Sequence, residues 1–150
     1  MSEGARTLAF AFGGVAAGFT WYAVRTTLIP TSSPDRLVAE LRLAQFAALL
    51  LALTAGAYIG TSVNHDGQLG VGFDIALTLG FLIVAAATLV RDPHQALTIL
   101  ALTFAAHAIV DVAHQPGALP EVAPRWYLTG SAIYDVYIGI LCYLPILRRK

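Results

Sequence analysis

The chain has 150 residues, room for one domain; 57% of them are apolar, 12% are charged and the formal net charge is +0. An ordinary soluble domain is about a quarter charged, so this composition argues against one, and the scattered arginines form no basic patch for nucleic acid. The single cysteine, Cys142, rules out an intramolecular disulfide and any multi-cysteine zinc or iron–sulfur centre.

Charges are missing from five long stretches and lie mainly between them. The expected fold is therefore all-α, a polytopic membrane bundle of about five transmembrane helices in a single domain spanning residues 1–150. The first helix is read from about Leu8 to Ile29, a retained span rather than a signal peptide, because it is too long for a signal core and no A-x-A-like site is followed by a soluble domain. Its Gly13-Gly14 and Gly18 permit close helix contact within or between chains, which leaves the oligomeric state open. The second runs from about Leu37 to Ile59. Ser33-Pro34-Asp35 precedes it, with an N-cap hydroxyl, a proline suited to the first helical position and a carboxylate at the positive end of the dipole.

The turn residues Asn64-His65-Asp66-Gly67 separate the second helix from the third, read from about Val71 to Val90. Asp92-Pro93 forms a cap-and-start pair for the fourth, about Ala96 to His114. Gln115-Pro116-Gly117 ends it, and Pro120 and Pro124 precede the fifth, about Tyr127 to Leu147. Each stretch has roughly the twenty residues that cross about 30 Å of hydrocarbon.

Arg148-Arg149-Lys150 argues for a cytoplasmic C-terminus under the positive-inside rule. Five spans then put the N-terminus outside a cell inner membrane. Arg25, Arg36, Arg42 and Arg91 fall on the inner side, and the second connection, which has no lysine or arginine, falls outside. Trp21-Tyr22 and Trp126-Tyr127 occupy opposite interfaces.

Ionisable groups inside spans are expensive and usually functional. The fourth helix carries His107-x-x-x-Asp111-x-x-His114; at about 100° per residue, the spacings i, i+4 and i+7 form one stripe. Asp135 on the fifth helix is expected at the same depth as His107, roughly 10–12 Å below the outer interface. Asp74 lies above them near the outer end of the third helix, and His65 and Asp66 lie in the outer loop. Mixed histidine and carboxylate ligands suit a divalent metal: zinc, iron or manganese. The expected metal ligands are His107, Asp111, His114 and Asp135, with Asp74 and His65 as additional candidates. Two arrangements stay open. Asp111 bridges two metals, or one metal is held by His107, Asp111 and Asp135 with His114 at the mouth.

Simpler roles stand beside these. A His–Asp pair can be a helix–helix hydrogen bond alone. Asp74 also suits the N-terminal dipole of its helix, and His65 and Asp66 suit a turn. Glu40 is expected to pair with Arg36 at i−4, and Tyr134, Tyr137 and Tyr143 to pack.

The run His107-x-x-x-Asp111-Val-x-His114, a proline-containing loop and then Ser131-Ala132-Ile133-Tyr134-Asp135 resembles a family of small bacterial integral-membrane proteins of unknown function. That family carries an H-x-x-x-D-x-x-H helix followed by an A-I-x-D helix. The resemblance covers roughly the last 45 residues. The chain departs from it at Val110, where tryptophan is common, and at Gln115, where a second histidine is common. The resemblance implies that His107, Asp111, His114 and Asp135 form the site, and it implies no activity.

The expected function is a membrane-embedded metal-dependent enzyme whose substrate is a lipid-like or apolar small molecule reached from the bilayer. One alternative is a metal-free binder or isomerase for a sterol- or pigment-like ligand, with the His–Asp pair as acid and base. Another is a proton-coupled transporter.

Overall fold

The computed structural model describes residues 3–63, 71–114 and 123–148, and the described residues contain helices and no strand. The helices are α1 (Glu3–Leu28), α2 (Pro34–Val63), α3 (Val71–Thr88), α4 (Pro93–Ala113) and α5 (Arg125–Leu147). The chain is thus an all-α bundle. Four helices are long and apolar enough to cross a membrane; α3, with 18 residues, is the shortest. At 1.5 Å per residue α3 is about 27 Å long, close to the hydrocarbon thickness.

Local chemistry explains the helix starts. Pro34 opens α2, and the Ser33 Oγ accepts from the Asp35 amide at 3.3 Å. Asp92 caps α4 by accepting from the Gln95 amide at 3.1 Å, with Pro93 as the first helical residue. Proline fits there because the amide hydrogen it lacks would have no intrahelical partner. The observed α2 extends beyond the expected Leu37–Ile59 at both ends. Cap geometry fixes its start, whereas hydropathy marks only the apolar part of a helix.

α2 is the hub: it contacts every other helix. Its buried face is built from Leu43, Ala44, Ala47, Ala48, Leu51 and Ala55. Alanines let helix backbones approach in a setting where lipid offers no hydrophobic drive for association, so van der Waals contact must hold the bundle. α1 touches α5 and, more sparsely, α2. The most extensive pairing is α4 with α5. At its middle, a Cβ placed on Gly139 would lie 3.1 Å from the Ala101 carbonyl oxygen and 3.4 Å from the Phe104 Cβ. Glycine is what permits that approach.

Arg36 ties together the end of the bundle where α1 and α5 stop and α2 begins. Its Nε donates to Glu40 Oε1 at 2.6 Å, its Nη1 to the carbonyls of Thr26 (2.6 Å) and Ile29 (3.0 Å), and its Nη2 to the carbonyl of Pro145 (2.9 Å). Arg36 and Glu40 are both buried. The sequence expectation of an i, i+4 pair holds, but the guanidinium also satisfies helix-end carbonyls that a bilayer would leave without partners.

Candidate metal centre

α4 turns His107, Asp111 and His114 inward as one buried stripe. His107 meets α5: its Nδ1 donates to Asp135 Oδ2 at 2.6 Å. The same nitrogen lies 3.7 Å from Asp111 Oδ2. Phe81 of α3 closes one side, its ring edge-on to the imidazole with centroids 4.7 Å apart. The ligand atoms of His107, Asp111 and Asp135 all lie within 4.8 Å of one another.

The carboxylates show what this cluster lacks. Asp111 and Asp135 are 0% exposed, yet both oxygens of Asp111 and Oδ1 of Asp135 have no hydrogen-bond partner among the described residues. Ser131, one turn before Asp135, lies near both carboxylates. Burying an ionised carboxylate without a partner is strongly unfavourable. A divalent cation at the point of convergence would be bound by the orphaned oxygens, and two carboxylates would neutralise its charge.

The distances set how the cluster must adjust. Ligands about 2.1 Å from a tetrahedral ion stand about 3.4 Å apart. The 3.7 Å between His107 Nδ1 and Asp111 Oδ2 fits that figure, but the 2.6 Å to Asp135 Oδ2 is too short. Joint ligation by His107 and Asp135 would therefore require this hydrogen bond to open. As it stands, the pair is a hydrogen-bonded imidazole and carboxylate.

His114 is placed elsewhere. Its Nδ1 donates to the Val110 carbonyl at 2.8 Å, and its Nε2 faces Asp74 Oδ1 at 3.0 Å. Because Nδ1 carries a proton toward the carbonyl, one further proton must lie between Nε2 and the carboxylate. Asp74 and His114 thus form a second buried pair, joining α3 to α4. The sequence placed Asp74 above the cluster and left its partner open. His65 and Asp66 lie outside the described residues.

Three contributors had weak sequence signals. Ser131 entered only as the first residue of the run that ends at Asp135, with no role of its own. Gly139 looked like any helix glycine, and Phe81 like any apolar residue. Beside the cluster, between α1 and α5, a cleft of about 240 Å³ is lined by Leu8 and Phe12 on one side and Trp126, Tyr127, Ser131 and Tyr134 on the other. The Tyr134 hydroxyl is buried with no hydrogen-bond partner among the described residues, and its ring packs edge-on against Phe12 at 5.1 Å.

No family model matches the chain, and no curated protein or solved structure is significantly similar to it.

Proposed function

We propose that this chain is a membrane-embedded protein that binds one divalent cation through His107, Asp111 and Asp135 and uses it on an apolar substrate. The carrying observation is the pair of fully buried carboxylates, three of whose four oxygens have no hydrogen-bond partner among the described residues, beside an imidazole nitrogen. One nitrogen and two carboxylate ligands suit zinc, manganese or iron, and three protein ligands leave a coordination position for water or substrate. A cation held there would supply Lewis-acid activation of a substrate oxygen or of water.

The chain's own residues supply the rest. The cleft between α1 and α5 brings an apolar molecule from the bilayer side to Ser131, and Ser131 adjoins both carboxylates. The Ser131 and Tyr134 hydroxyls are the polar groups that would orient a substrate's head. Without a cation His107 and Asp135 share a proton across 2.6 Å; a cation bound by both would displace that proton. The orientation that fits the arginines puts this cluster in the outer half of an inner membrane, N-terminus outside and C-terminus cytoplasmic. Membership of the small bacterial membrane family with the H-x-x-x-D-x-x-H and A-I-x-D helices is part of the same proposal.

The test is cation titration of chelator-treated protein in detergent. A ligand that binds only the folded state stabilises it by about 2.7 kcal/mol at a hundred times its Kd. Zinc, manganese or ferrous iron should therefore raise Tm in wild type and leave Asp135→Asn unmoved. Equal shifts in both proteins, or none in either, would overturn the proposal.

The same hydrogen bond favours a second, metal-free reading. A His107–Asp135 pair beside an apolar cleft can act as acid and base on a sterol- or pigment-like ligand. In that case chelation changes nothing, and ligand uptake depends on His107.

A further inference from the structure

A groove of about 860 Å³ runs between α1 and α2. Gly18 forms its floor, with open space where a Cβ would stand, and Val15, Phe46, Leu49 and Leu53 form its walls. Trp21 and Arg42 stand at one end. The Tyr22 and Phe46 rings meet edge-on at 5.6 Å and so fix the register of the two antiparallel helices. One turn beyond that contact, Arg25 on α1 and Arg42 on α2 reach the same level, and the Arg25 guanidinium lies 5.3 Å from the centre of the Trp21 ring.

Arg42 is exposed and lies about 12 Å along α2 from Pro34, within the apolar span. It makes no hydrogen bond or ion pair with the described residues. Arg36, six residues earlier, is by contrast fully engaged. A guanidinium on the lipid-facing side of a span needs an anionic partner, and its planar fork matches a phosphate. Tryptophan prefers the headgroup level. Below that level the groove is apolar, with the width of Gly18 left open for a chain.

We propose that this groove is a binding site for an anionic phospholipid. The headgroup phosphate is held between Arg42 and Arg25, and one acyl chain lies over Gly18 toward Leu53. The site is independent of the His107 cluster, which faces α5.

Trp21 is a built-in reporter. Replacing Trp126 with phenylalanine leaves Trp21 as the single tryptophan, since the chain has 2. The protein is reconstituted in phosphatidylcholine vesicles containing a minority of phosphatidylglycerol or phosphatidylcholine with brominated acyl chains. Two arginines facing one phosphate should make the brominated phosphatidylglycerol roughly tenfold more effective at occupying the site. Arg42→Gln should remove most of that preference. Arg91→Gln, which alters an exposed arginine at the same end of the bundle, should leave it intact. Gly18→Leu keeps both arginines but fills the floor, and it should lower quenching by brominated phosphatidylglycerol. Equal quenching by the two lipids would overturn the site. So would a loss in Arg91→Gln as large as in Arg42→Gln, because diffuse attraction would then explain the preference. Undiminished quenching in Gly18→Leu would overturn the acyl-chain placement and with it the groove as the site.

Discussion

His107 on α4 and Asp135 on α5 stand 2.6 Å apart because, further along the same interface, Gly139 lets α5 close on the Ala101 carbonyl. The polar contact and the backbone approach belong to one helix pair, so the site's geometry depends on a residue with no side chain. A helix–helix hydrogen bond inside a membrane contributes only about 0.6–1.7 kcal/mol. That is too little to hold the two carboxylates in place unless packing has already set the distance.

Gly139→Ala should therefore disturb the site from a distance. The new methyl would press on a backbone carbonyl that cannot swing aside, so the helices must separate by a few tenths of an ångström. Overpacking of this kind costs about 1–3 kcal/mol. Cation affinity should fall about tenfold, as for other residues that support a ligand from outside the ligand set. Thermal unfolding and cation titration of the same preparation check both effects; unchanged affinity would detach Gly139 from the site.

Asp111→Asn and Asp135→Asn keep shape and remove charge. Each should abolish retention of the cation while leaving the helical circular dichroism of the folded protein. The amide also replaces a carboxylate oxygen that has no partner among the described residues, so stability without cation should stay equal or rise. A variant that retains a full equivalent of metal would remove that aspartate from the ligand set.

Asp74→Asn separates a single-metal site from a two-metal one. Asp74 and His114 are bonded to each other at 3.0 Å, apart from the three converging ligands. The variant should retain one cation per chain, as the wild type does. Two equivalents in wild type falling to one in the variant would show that His114 and Asp74 hold a second ion.

Arg36→Ala should be among the most damaging changes outside the site. It leaves Glu40 buried and strips the carbonyls of Thr26, Ile29 and Pro145 of a donor. Losing one partner of a buried ion pair costs about 3–5 kcal/mol. Replacing Arg36 and Glu40 together with methionine should recover part of the loss, as read from reversible unfolding in mixed micelles. A single-variant loss below about 1 kcal/mol would place the pair with exposed ion pairs instead.

The helices were legible in the sequence because apolar runs of roughly twenty residues have one reading in a membrane, and because Ser33-Pro34 and Asp92-Pro93 start helices by local chemistry alone. The inward stripe of His107, Asp111 and His114 followed from helical spacing. What spacing could not give was the partner of each group. His114 and Asp74 are 40 residues apart, and their contact depends on how α3 leans on α4, which no local pattern encodes. The same holds for Arg36 and Pro145. The sequence named Glu40 as the partner one turn away but gave no sign of a carbonyl on α5. Ser131 and Gly139 act through where α5 sits, and a list of chemically capable side chains passes over both.

The most direct test of the metal centre is elemental analysis of protein purified in detergent without chelators, beside a His107→Ala, Asp111→Ala double variant. One equivalent of zinc, iron or manganese is expected in the wild type and none in the variant. Wild-type protein that carries no stoichiometric metal, and takes up none when zinc, manganese or ferrous iron is added, would contradict it.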